Sequence, residues 1–264
     1  MTTSTFVNQS LAKGLSKQSL EYLVEAARMC SRTVDDYLCK AIAAQARGKS
    51  PAKLANQLRE AISALIAQPC IHGRLSSVSA RNFIYAYIRP DLKDDHLVFS
   101  IAIGSINTRS KLSPNQQHLI PAVQITRHSV ERLHQRLNTT DFDDIYGEIG
   151  TITMLAPSMN MAARHIGARQ WALPAVRGMF VAVPGDQDYM TTLVTWLPFD
   201  NLSTKWARLV ADLQALPELD DFSIRLRPEL VEIMLRHRWL LEPYEPPAES
   251  PISPGASTVA WPRS

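Results

Sequence analysis

Apolar positions recur at helical spacing over the first quarter of the chain and at strand spacing soon after. In SKQSLEYLVEAARMC (16–30), Leu20, Leu23, Val24 and Ala27 lie three or four residues apart and predict a helix. TVDDYLCKAIAAQARGK (33–49) opens on Thr33 and Asp36, a start resembling a capping box, and runs to Gly48, which predicts a second helix. A third is predicted over 50–68, with Ser50 as N-cap and Pro51 in the first helical position. Short connections between the three suggest a small helical bundle or cap.

The pattern then shortens. NFIYAYIR (82–89) and HLVFSIAIG (96–104) are rich in aromatic and β-branched residues and predict two strands, with RPDLKDD as the turn. LSPNQQHLIPAVQI (112–125) reads as a loop entering a short extended piece, and TTDFDDIYGEI (139–149) as a short helix started by Thr140 and Asp143. VRGMFVAV (176–183) and MTTLVTWLP (190–198) flank a Pro-Gly-Asp turn signal and predict a hairpin. Helices are predicted over 201–216, with Trp206, Leu209, Val210 and Leu213 on one side, and over 227–241, with Pro228 in the first turn. From Glu242 on, prolines are dense and large apolar groups few, which predicts a disordered tail. The expected class is α+β: a helical N-terminal part (1–72), then a domain (73–241) with a small antiparallel sheet packed on helices, then the tail (242–264).

Composition narrows function mainly by exclusion. No run approaches the roughly 18–20 apolar residues of a membrane span, and the opening segment lacks an apolar signal-peptide core. The expected setting is therefore cytoplasmic, with no membrane partner. The three cysteines, Cys30, Cys39 and Cys70, form no tight pair and read as packed free thiols. A net charge of +3 does not by itself name a nucleic-acid binder. There is no phosphate-binding glycine loop, no H-E-x-x-H, no C-x-x-C and no G-x-S-x-G. No metal and no cofactor is expected.

The chemistry concentrates in ITRHSVERLHQRL (125–137). With His128 set at zero on a helical wheel, Arg132 falls near about 40°, Gln135 near about −20° and Arg136 near about 80°. Val130, Leu133 and Leu137 fall at roughly 140–200°, an apolar back, with His134 near about 240° at its edge, read as a packed histidine. Thr126 suits the N-cap, which places His128 in the first turn, where the helix dipole favours an anion. Guanidiniums match phosphate oxygens with a planar fork of donors, and an imidazole transfers protons near neutral pH. The other reading is a solvated helix face with no ligand. AARHIGARQW (162–171), read as a loop, offers Arg164 and His165 as further phosphate contacts, or simply as exposed polar groups. Basic residues of 227–241, Arg236 and Arg238 among them, suit either nucleic acid or a solvated helix end.

The H-x-x-x-R-x-x-x-R spacing of His128, Arg132 and Arg136 resembles the "His-Ala-x-x-Arg" helix of small bacterial domains found among toxin and mobile-element proteins. Those domains look related to the barnase–EndoU–colicin–RelE superfamily of metal-independent ribonucleases. The resemblance covers about residues 120–200, and Ser129 stands where alanine is usual. It implies a helix followed by a small antiparallel sheet, with His128 as general acid or base, Arg132 and Arg136 on the phosphate, and Thr195 orienting it from the sheet. Gln135, Arg164 and His165 would add substrate contacts. The implied activity is RNA cleavage to a 2′,3′-cyclic phosphate. The alternatives are a non-catalytic nucleic-acid binder whose N-terminal helices hold a protein partner, and an accessory protein whose helix face is only solvated. For Thr195, alternation with Leu193 and Leu197 also suggests a core-facing position.

Overall fold

The structure, a computed structural model, describes residues 7–46, 73–79, 82–93, 96–107, 118–187, 190–217 and 226–244, with 56, 57, 59, 60 and 63. The first two expected helices are one: α1 runs unbroken over Gln9–Ala46, 38 residues. No proline interrupts it, and its one glycine, Gly14, lies near the start. Thr33 and Asp36 have cap chemistry, but polar residues inside a helix cost only tenths of a kcal/mol each, roughly, and do not stop it. The expected 50–68 helix lies mostly outside the described residues, although 56, 57, 59, 60 and 63 are helical.

Strands follow as β1 (Gly73–Ser79), β2 (Asn82–Lys93), β3 (His96–Asn107) and β4 (His118–Ile125). The β2–β3 pairing runs from Asn82↔Asn107 to Lys93↔His96, so the expected turn RPDLKDD is largely strand. Among the described residues, β1 pairs with β2 only as far as Tyr87, so Pro90 lies beyond the described β1 pairing.

After β4 come α2 (Arg127–Leu137) and α3 (Phe142–Ile166). The expected short helix at 139–149 is thus the start of a 25-residue helix, and 162–166, read as loop, is its last turn. Apolar residues on every side mark α3 as a core helix; Ile145, Ile149, Ile152, Met159 and Ala163 are all buried. The chain continues through β5 (Trp171–Pro174), β6 (Gly178–Pro184), β7 (Thr191–Pro198), α4 (Thr204–Gln214) and α5 (Pro228–Arg236), with single 3₁₀ turns after β7 and after α5. The class is α+β, but the sheet is neither small nor purely antiparallel: seven strands stand in the order β1-β2-β3-β4-β7-β6-β5. The β4–β7 pair is parallel, through Val123↔Thr191, Gln124↔Thr192 and Ile125↔Leu193. A parallel pair needs a long crossover, here supplied by α2, α3 and the two intervening strands.

One apolar cluster joins the elements, with Leu23 of α1, Phe99 of β3, Val123 of β4, Leu133 of α2, Ile149 of α3, Trp171 of β5, Leu209 of α4 and Met234 of α5. Among the described residues, no helix is long and apolar enough to cross a membrane. The Pro-rich stretch begins docked: the carbonyls of Glu242 and Pro243 accept from Gln170 Nε2 at 2.9 and 3.4 Å. Tyr244 packs against the core, and 245–264 lie outside the described residues.

Candidate functional site

The helix that carries the candidate residues is fixed at both ends. Thr126 is its N-cap, and Thr126 Oγ1 accepts the Ser129 N–H at 3.2 Å. Asn138 closes it in the left-handed region at φ 51°, where asparagine is among the few tolerated residues. Asn138 Oδ1 also takes the Val7 N–H at 2.8 Å, tying down the segment before α1.

The buried side of α2 is partly polar. Val130 and Leu133 are buried as expected, and so are Ser129 and His134. Ser129 Oγ lies 2.7 Å from the Leu193 carbonyl and 3.1 Å from that of Val194. Consecutive carbonyls of a regular strand point opposite ways. Here the β6–β7 register slips between Val181 and Ala182, leaving Val194 unopposed, and this bulge brings both carbonyls to one hydroxyl. The alanine usual in the resembled motif has no group to meet them. His134 Nδ1 lies 2.8 Å from the Thr139 carbonyl and Nε2 lies 2.7 Å from Ser19 Oγ. A carbonyl only accepts, so Nδ1 carries a proton. Burial lowers the His134 pKa, which favours the neutral ring, and in that form Nε2 accepts from Ser19. This serine–histidine pair joins α1 to α2 inside the core, where no substrate reaches it.

The outward side carries His128, Arg132, Gln135 and Arg136. The His128 side chain is 61% exposed, with Nδ1 3.9 Å from Glu131 Oε2. Arg132 Nε makes a long contact, 3.5 Å, with His128 Nε2, and its Nη1 donates to Gln135 Oε1 at 3.3 Å. Arg136 Nη1 reaches the sheet, donating to Thr195 Oγ1 at 3.2 Å and to the Trp196 carbonyl. Desolvation there and the charge of Arg132 lower the Arg136 pKa, while Tyr244 acts the other way. Arg127 lies on the flank of the helix that faces α1: Nη2 donates to the Lys13 carbonyl at 2.9 Å, and Nε lies 3.5 Å from Glu131.

Contacts thus link His128 to Arg132 and Arg136 to Thr195, while mutual charge links the two arginines. Thr195 is buried, as its alternation suggested, and its hydroxyl meets Arg136. Arg164 serves elsewhere: from α3 it donates to Asn160 Oδ1 at 2.9 Å and to the Gln187 carbonyl at 3.0 Å, bracing the β6–β7 turn. Its carbonyl contacts belong to the β6–β7 turn, before the start of β7, so Arg164 is not part of the Thr195 end. His165, beside Arg164 in the last turn of α3, is exposed.

Two features had no clear signal in the sequence. Glu148 is a buried carboxylate that accepts from Arg177 Nε at 3.0 Å, from the Arg177 N–H at 3.1 Å and from Trp196 Nε1 at 3.3 Å. It fixes the strand whose carbonyl holds Arg136. The second is a cavity of about 600 Å³ whose walls include Leu197, Lys205, Trp206 and Tyr244 and none of the expected site residues. Among the described residues, no group of three or more His, Cys, Asp or Glu side chains gathers as metal ligands do, and the side chains of the three cysteines are not among those described. Compared with known proteins, the chain matches no family model, no curated protein and no solved structure.

Proposed function

We propose that the outward face of α2 binds the phosphate backbone of a nucleic acid, RNA in the first instance, without cutting it. The observation that carries this reading is a pair of arginines one turn apart, Arg132 and Arg136, with His128 and Gln135 on the same face and Glu131 as the one acid on the helix. From His128 to Arg136 this face spans roughly 12 Å along the axis at 1.5 Å per residue. Both guanidiniums are held: Arg132 by Gln135 and Arg136 by β7. Held donors lose less side-chain entropy on meeting a phosphate. The face is open, which suits a strand laid across it better than a reaction sealed from water.

A second reading, metal-independent cleavage in the manner of the resembled ribonucleases, draws on one contact. Arg132 Nε–H points at His128 Nε2 across a long 3.5 Å contact, and a phosphate that drew Arg132 away would leave that nitrogen open to a substrate proton. In that reaction His128 would take the ribose 2′-hydroxyl proton, the 2′-oxygen would bond to phosphorus as the bond to the 5′-oxygen breaks, and the 5′-oxygen would take a proton from water to leave as a hydroxyl beside the 2′,3′-cyclic phosphate.

One experiment separates the two. Purified protein is mixed with labelled RNA in EDTA and followed by anisotropy and by gel. Binding that weakens with salt and leaves the RNA intact supports the first reading, and Arg132→Ala then flattens the slope of log K against log salt by roughly 0.7–0.9. Fragments with cyclic phosphate ends, lost in His128→Ala, support the second. Salt-independent binding, or none, with the RNA left intact overturns both.

A further inference from the structure

We infer that the cavity beside the C-terminal end of α2 seats an unpaired base of a single-stranded nucleic acid whose phosphates lie along α2. This rests on the reading of α2 given above and narrows its ligand from nucleic acid in general to a strand with a free base.

The cavity lies near Arg136, at the C-terminal end of this face. Leu197, in its wall, follows Trp196, whose carbonyl holds Arg136. Tyr244, also in the wall, is close enough to Arg136 for each to shift the other's pKa. A strand leaving Arg136 therefore meets this opening next.

Its volume of about 600 Å³ lies within the range of small-molecule sites, roughly 300–1,000 Å³. Its chemistry is that of a nucleotide seat. Leu197, Trp206 and Tyr244 supply apolar and aromatic surface for the faces of a ring. Trp206 is braced edge-on by Trp239 with ring centres 4.5 Å apart, and the Lys205 ammonium stands 4.9 Å from the Trp239 ring centre. The polar end is the start of α4. Ser203 is its N-cap but makes no side-chain cap bond, and the first backbone bond of the helix is Ala207 N–H to the Ser203 carbonyl. The N–H groups of Thr204, Lys205 and Trp206 thus lack helical acceptors, and Lys205 adds a charge beside them, a setting suited to a phosphate. Glu242, the one acidic residue of the lining, offers an acceptor to an exocyclic amino group. Bases inside a duplex present only their edges, so a seat of this form takes a base that is out of the stack.

The test uses the full chain, with a labelled single strand of about ten nucleotides and the blunt duplex of the same sequence, read by anisotropy. Single strand is expected to bind about tenfold tighter than duplex, with quenching of tryptophan emission. Lys205 and Asn201, which also lines the cavity, are both exposed, so Asn201→Ala/Lys205→Ala keeps the fold. The double variant is expected to lose about tenfold for single strand and nothing for duplex. Equal affinity for the two forms, or a double variant that binds single strand as well as the parent, overturns the base seat. Arg132→Ala reports on α2 separately: weaker binding of both forms keeps the α2 reading whatever the cavity does. If Arg132→Ala changes nothing while CMP or AMP quenches the parent and not the double variant, the α2 reading falls and the base seat stands.

Discussion

His128 and His134 share one helix, six residues apart, yet one side chain is 61% exposed and the other wholly buried. Helical phase makes the difference. His134 lies beside the apolar stripe, so it enters the core, where both ring nitrogens must find partners, and Ser19 and the Thr139 carbonyl are those partners. His128 lies away from that stripe, exposed to solvent, with Glu131 and Arg132 beside it. The buried histidine is structural and the exposed one is available to a ligand, although residue type alone makes them equal candidates.

That contrast can be broken most forcefully at the buried end. His134→Ala leaves a cavity, an orphaned Ser19 hydroxyl and an orphaned carbonyl, and is expected to cost roughly 2–4 kcal/mol in urea denaturation at pH 7. Acid is the next lever. Burial lowers the His134 pKa, so below its ordinary value the unfolded chain binds a proton that the folded chain does not. The stability this group contributes is whole above about pH 6.5 and is lost as pH falls through the folded value beneath it. The melting temperature is expected to drop below about pH 6.5, and to drop less in His134→Gln; an equal acid loss in that variant removes His134 as the cause. Arg136 stands between the two extremes, on the outer face but bonded to the sheet. Arg136→Ala is expected to lower stability by about 1 kcal/mol and also to weaken RNA binding. The smallest effect belongs to His128→Ala, which is expected to leave stability within roughly 0.5 kcal/mol of the parent and the acid profile in place. A larger loss there would mean that the outer face also supports the fold.

Local chemistry made much of this legible in advance. The Thr126 cap, the apolar back through Val130 and Leu133, the packed His134 and the β6–β7 hairpin follow from periodicity and turn residues, while the β2–β3 pair was foreseen but with its turn placed too early. What stayed hidden depends on contacts far apart in the chain. Thr33 and Asp36 look like a helix start, yet nothing nearby breaks the backbone, so α1 continues. Arg164 and His165 next to Gly167 look like loop, but Gly167 at φ 73° is the stop of α3 rather than part of a loop before it. The four-residue β5 is too short for a clear period, and the parallel β4–β7 pair joins residues whose neighbourhood no local pattern encodes. At the site, helical angles gathered His128, Arg132, Gln135 and Arg136 on one face. The hold of β7 on Arg136 was only half visible, since the bulge at Val194 that shapes this part of β7 leaves no mark in composition. Tyr244 was invisible as a wall residue because it sits in a stretch whose prolines signal disorder.

The three-pair seam between β4 and β7 has a consequence for assembly. It divides the sheet into two antiparallel meanders, β1–β4 and β5–β7, each closed by near-neighbour pairing that forms early at small entropic cost. The seam joins partners more than sixty positions apart, so it sets late and parts first when amide protons exchange with solvent. Because α2 springs directly from the end of β4 and leans on β7, the basic face comes into register only when the two half-sheets dock. Under the proposed role, affinity for nucleic acid then reads out completion of the fold rather than the presence of the helix.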